Sequence, residues 1–266
     1  MKNLLFLLLL VLMSVTLHAQ IGGISGSKLN AVCVDVVDHH HLEFEPAFGI
    51  SWQSKAWDNH SSLSSHFPGS DSTYVSSGAL WRFTYGLFDQ LEIGVTAPLH
   101  LDVLNFGLRY VVYQGEKAGI AAIAGFNMPV ETGIVSISPE TEAQLCSLGI
   151  GAVASYAFND HFSIDGNVQY LRYTATPTDS RNSGLACLAI DAGYYLLDHQ
   201  FQVIAGLGYQ NHFYPDDDHA LLTLYPGVTI ETGKNYIIVL AAPYDLYGKN
   251  FGKSIGFNFA LTLTMH

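Results

Sequence analysis

The sequence predicts an all-β protein that crosses a membrane as an antiparallel up-and-down barrel of about twelve strands. Three observations predict it. Apolar and small polar residues alternate with period two over most of the chain after residue 40, which puts successive side chains on opposite faces of a sheet. Charged residues are only 13% of the 266 against 49% hydrophobic, so the exposed strand faces lack the Lys and Glu that a water-soluble sandwich or lipocalin-like barrel would carry. The links between strands are alternately short and long, the pattern of a membrane barrel with tight turns on one side and longer loops on the other.

The strands are read in order as 42–53, 76–86, 90–99, 103–113, 118–130, 144–157, 161–173, 184–196, 200–212, 219–231, 235–243 and 253–265. Lengths near ten suit strands that cross a bilayer at a tilt. In the first, Leu42, Phe44, Phe48, Ile50 and Trp52 oppose Glu43, Glu45, Gly49, Ser51 and Gln53. In the last, Ile255, Phe257, Phe259, Leu261, Leu263 and Met265 oppose Ser254, Gly256, Asn258, Ala260, Thr262 and Thr264. Short links fall at 87–89, 114–117, 159–160, 197–199 and 232–234. Longer ones fall at 54–75, 131–143, 174–183, 213–218 and 244–252, with His100-Leu101-Asp102 a short exception. Tyr and Phe cluster beside the short turns, and Trp52, Tyr170, Tyr209 and Tyr244 toward the long links, as two interfacial bands would require.

Ahead of the barrel, Lys2, the apolar run Leu4–Leu17 and Ala19-Gln20 read as a cleaved secretory signal over residues 1–19. The run is too short for a helical span. Residues 20–40 form an N-terminal arm, of which 21–38, Gly-rich and then Val-rich, suits an arm, a plug or an extra strand. Residues 41–266 form one barrel domain.

The net charge of −12, with 11 Lys and Arg scattered, argues against nucleic acid as a partner. Three cysteines imply no disulfide framework, and Cys146 and Cys187 fall on opposite strand faces. The expected partners are outer-membrane lipid and a small-molecule solute; no cofactor is expected.

On the face assigned to the lumen lie Glu43, Glu45, Arg82, Glu92, Arg109, Asp165, Asp191 and Glu231. Two arginines among six acids can pair internally and leave an acidic excess for cations or hydroxylated solutes. Ten glycines share that face, among them Gly94, Gly107, Gly125 and Gly149, which leaves room for a narrow pore or eases strand bending. His39-His40-His41 beside Asp38 offers imidazole and carboxylate ligands, but consecutive residues of an extended chain point apart, so at most two could share a metal; a solvated linker is favoured. Asp216-Asp217-Asp218-His219 with His212 lacks the spacing of a calcium loop. The Ser-rich link with His60, Ser61, Ser62, Ser64, Ser65 and His66 has no nucleophile elbow, so no catalytic residue is assigned.

The phrase Leu80–Leu99, with Tyr85-Gly86, Asp89, Leu91-Glu92, Gly94 and Pro98-Leu99, resembles the outer-membrane barrel family named for transport in the meta-pathway of phenol degradation. Thr84 stands where that family has arginine, and the chain ends on Met265-His266 rather than an aromatic. The resemblance implies a passive channel for a small organic solute, aromatic or hydrophobic, and carries no catalytic residues. The alternatives are a closed structural barrel whose loops meet a surface partner or lipid and, third, a barrel lipid hydrolase.

Overall fold

The computed structural model describes residues 21–26, 29–67, 69–70, 72–101, 103–130, 146–174, 183–197, 199–214, 218–231 and 235–266. The signal segment read at 1–19 and the tips of several long links lie outside these residues.

Fourteen strands form one sheet: β1 (Leu42–Trp57), β2 (Leu63–Ser65), β3 (Tyr74–Phe88), β4 (Leu91–Pro98), β5 (Val103–Gln114), β6 (Ala118–Pro129), β7 (Ser147–Ala157), β8 (Phe162–Tyr173), β9 (Gly184–Leu196), β10 (Phe201–Phe213), β11 (Asp218–Glu231), β12 (Tyr236–Ala241), β13 (Tyr244–Lys249) and β14 (Gly252–Met265). All named strand pairs are antiparallel, and β1 pairs with β14, so the long strands close on themselves into a barrel. β2 only extends β1 as a short ribbon beyond the rim. β12 and β13 share the place between β11 and β14, which makes a closed barrel of twelve staves.

Alternation decides which way each stave faces. On β7, Leu148 and Ile150 are 60% and 66% exposed, while Ser147 before them and Val153 beyond them are buried. The same contrast runs round the barrel: Phe83, Ile93, Leu108, Ile120, Val168, Ile190, Leu207 and Phe257 all stand on the outside. Apolar surface on this scale costs about 25 cal/mol per Å² in water and nothing comparable in hydrocarbon, so the outer belt makes this a transmembrane barrel. The β1–β14 seam keeps one register from Leu42↔Met265 to Gln53↔Ser254, as the sequence alternation requires of both strands.

The eleventh stave corrects the sequence reading. The sequence reading makes residues 244–252 a long link. Instead β13 resumes the stave after a break at Ala242-Pro243, and the link shrinks to Asn250 and Phe251. Proline has no N–H to give a ladder, and Pro243 falls close to Pro226 of β11. Ala242 N–H donates to Pro226 O and Gly256 N–H to Pro243 O, so the break stays hydrogen-bonded. Strands also run further than read into the first link, to Trp57 on one side and from Tyr74 on the other.

Candidate functional site

The described residues of this segment, 21–26 and 29–38, do not lie beside the barrel. They enter it from the short-turn end and pack in its interior, with Ile21, Ile24, Val32, Val34 and Val37 buried. Of the readings open for this segment, the structure shows the plug.

Most of the plug makes no β-ladder with the wall. Its backbone N–H groups donate instead to side chains that point inward. Ile21 donates to Gln169 Oε1, Gly23 to Thr96 Oγ1, Val32 to Asn167 Oδ1 and Val34 to Ser155 Oγ, all at 2.8–3.0 Å. One oxygen of Asp191 accepts from three successive N–H groups, Leu29, Asn30 and Ala31, at 2.9, 2.7 and 2.8 Å. Glu92 accepts from Ser25 N–H and from Val37 N–H, at 2.7 and 2.8 Å, so one carboxylate holds both ends of the described loop. Buried polar groups in hydrocarbon surroundings must be satisfied, and here the plug and the wall satisfy each other.

The predicted charges converge on this seat. Arg109 and Glu92 are fully buried and form an ion pair at 2.9 Å. Arg109 also donates to the carbonyls of Cys33 (2.7 Å) and Ser25 (3.3 Å), and to the Ser25 hydroxyl. Arg82 pairs with Glu45 at 2.8 Å and lies 3.8 Å from Glu43. Asp165 stands directly opposite Asp191 across β8 and β9, a like-charge pair whose cost the three plug N–H groups offset. Glu231 sits lower and accepts from Tyr195 hydroxyl at 3.0 Å. Of the eight predicted residues, Arg82, Glu92, Arg109, Asp165 and Asp191 are buried. Glu92, Arg109 and Asp191 bind the plug, Arg82 pairs within the wall beside it, and Glu231 is engaged elsewhere.

A different chemistry covers the neighbouring wall. Val111, Ala121, Ile123 and Val153 of β5–β7 pack against Ile21, Ile24, Val32 and Val34. Further toward the long-link end, Leu171, Leu185 and Cys187 continue the apolar inner surface. The interior is thus amphipathic: carboxylates, amides and an arginine on one side, a greasy strip on the other. Among the described residues, the amide Nδ2 of Asn167 and Nε2 of Gln169, Gln202 and Gln210 are buried donors without a partner.

Sequence reasoning missed how the inward glycines are used. Gly94, Gly107, Gly125 and Gly149 pair in turn across β4 to β7, forming a level band. A Cβ on Gly107 would fall on the carbonyl oxygen of Gly22, and one on Gly149 would meet the Ile21 side chain. The missing side chains make room for a second chain, not for an open pore. The available signal was the coincidence of a glycine band in the wall with a glycine run, Gly22-Gly23, in the segment before it.

The other candidates are separate. His39 and His40 stack, and His41 turns away from both toward His266. Asp218 pairs with Lys249 at 3.0 Å, while Asp216 and Asp217 lie outside the described residues. Ser61 donates to Tyr247, and no Ser–His hydrogen bond between side chains joins the first link among the described residues. Cys33, Cys146 and Cys187 are all free thiols.

No protein-family model matches the sequence, and no curated protein does. Solved structures do match. An outer membrane channel from Pseudomonas putida F1 superposes with a TM-score of 0.68 at 12% identity, over 87% of this chain and 98% of that one. The NanC porin superposes with a TM-score of 0.55 at 7% identity, over 83% and 98%. At these identities the likeness is one of fold, the fold of outer-membrane barrels.

Proposed function

We propose that this protein is a passive outer-membrane channel for a small, largely apolar organic solute, with residues 21–38 as its gate. The observation that carries the reading is how the plug is held. Its contacts are mainly side chain to backbone, so it can leave while the barrel ladders stay intact. Vacating the seat exposes the greasy strip of Val111, Ile123 and Val153 facing Glu92, Asp191, Asn167 and Gln169. A small aromatic ring bearing a hydroxyl would find apolar surface on one side and acceptors and donors on the other. The acids left behind give the open path a preference for cations over anions. The short turns face the periplasm and the long links face outward, so the gate is reached from the periplasmic side. Fold likeness to an outer membrane channel and the resemblance around Tyr85–Leu99 support the same reading.

The second reading is a permanently closed barrel, favoured by the fully buried Arg109–Glu92 pair beneath the plug. Swelling of proteoliposomes in small phenols and in uncharged sugars of similar size separates the two. Faster entry of the phenol through the barrel than through protein-free liposomes supports the channel; equal entry of every solute supports the closed barrel.

A further inference from the structure

The chain carries 23 acidic side chains against 11 Lys and Arg, and Arg82, Arg109 and Lys249 each have a carboxylate partner. Two lysines at the long-link end do not follow that balance. Lys55 and Lys253 are direct cross-strand partners on the β1–β14 seam, and among the described residues neither forms an ion pair. Like charges placed directly opposite each other destabilise a strand pair unless an anion joins them.

The seam is built to set them together. Along β1 the even-numbered residues face outward as far as Trp52, so regular alternation would send Lys55 after Gln53 into the lumen. An extra residue, Ser54, bulges between the pairs Gln53↔Ser254 and Lys55↔Lys253 and turns Lys55 to the outer face. The Ser54 carbonyl accepts from the His66 N–H, which holds the bulge. Lys253 shares the outward parity of Ile255 and Phe257, and its Nζ lies 5.0 Å from the Tyr244 ring and 5.6 Å from the Trp57 ring. Two aromatic faces fix that ammonium in place without neutralising it. Two residue rises past Trp52, the pair stands about 7 Å beyond the upper aromatic band, at the level of lipid headgroups.

We propose that Lys55 and Lys253 bind a phosphate group of a phosphorylated glycolipid in the outer leaflet. A phosphate between the two ammoniums turns their repulsion into a pair of charge-assisted hydrogen bonds. The acyl chains of the same lipid run down over Trp52, Ile255 and Phe257, the exposed apolar residues on that face. A free phosphate would meet the lysines and leave this strip unused, so the occupant is the lipid. Bound there, it clasps β1 to β14 next to the β13–β14 junction, whose ladder is a single pair. The inference rests on the long links facing outward, as in the channel reading, and not on the solute or the gate.

The test is native mass spectrometry of the refolded full chain in uncharged detergent. The chain is titrated with diphosphorylated lipid A, its phosphate-free form, phosphatidylglycerol and inorganic phosphate. One lipid A per chain is expected, bound about fivefold more weakly by Lys55→Gln and by Lys253→Gln and more weakly still by the double variant. Lys117→Gln, at a short turn, should bind as the unaltered chain does. No lipid A binding, or binding unchanged in the double variant, overturns the proposal. So does phosphate-free lipid, phosphatidylglycerol or inorganic phosphate bound as tightly as lipid A. Labelling of exposed Cys146 on intact cells with a bulky polyethylene-glycol maleimide tests the orientation separately. Labelling supports an outer-leaflet site, and labelling only after the outer membrane is opened overturns it.

Discussion

The two sides of the inner wall hold the same segment by different means. Around Glu92, Arg109 and Asp191 the plug is gripped by charge-assisted hydrogen bonds to its backbone. Over Val111, Ile123 and Val153 it is held by apolar packing. The polar grip is directional and depends on each partner being present; the apolar one is diffuse and tolerates small shifts. A gate needs both: packing keeps it seated, and a few exchangeable hydrogen bonds let a competing solute or a change at the hinge release it.

Cys33 gives a direct readout of this comparison, because its thiol is free and buried in the plug. Maleimide labelling of Cys33 in a Cys146→Ser background measures how often the plug opens. The largest effect is expected for Arg109→Leu. It strands the Glu92 carboxylate in a buried site, which costs about 3–5 kcal/mol, so labelling should accelerate by about 10²–10⁴-fold. Ile123→Ala removes packing from the apolar side at a cost of about 2–5 kcal/mol, shared between barrel and plug. It should lower the melting temperature and speed labelling less than Arg109→Leu does. Equal acceleration would mean that the charge grip is no stronger than the packing. Asp191→Asn weakens three hydrogen bonds by removing charge from their shared acceptor, worth about 1.5–3 kcal/mol in all, with a correspondingly smaller rise in labelling. The smallest effect is expected for Glu43→Gln with Glu45→Gln. Among the described residues these acids pair with Arg82 and accept no backbone N–H of the plug, although Arg82 lies against Gly26. Their loss should leave labelling unchanged and move the reversal potential of any open path toward neutrality.

How much of this was legible in the sequence differs between the two faces of the barrel. The outer face was legible almost residue by residue, because a strand in lipid must alternate and Leu42–Gln53 and Ser254–Met265 do so without a break. The burial of Arg82, Glu92, Arg109, Asp165 and Asp191 agrees with the same parity. What those charges do was not legible, since their partner is backbone N–H, which every residue type carries alike. Asp191 gives no sign in the sequence that Leu29, Asn30 and Ala31 will donate to it. The link at 244–252 failed for a local reason: Pro243 and Asn250 are true turn signals, but the residues between them still reach the ladder of β11 from Leu224 to Ala220.

The central claim is that residues 21–38 close a path that exists in the barrel wall beneath them. Gly107 allows the most direct test, because the three atoms nearest an added Cβ there belong to Gly22 and Ile24 of the plug. Single-channel recordings in planar bilayers would compare the unaltered chain with Gly107→Val, after both are shown to be folded barrels. The account predicts rare or small conductance steps for the first, and frequent, larger, cation-preferring steps for the second. If a folded Gly107→Val barrel with an accessible Cys33 is as silent as the unaltered chain, the plug covers no path and the barrel is closed by its own wall.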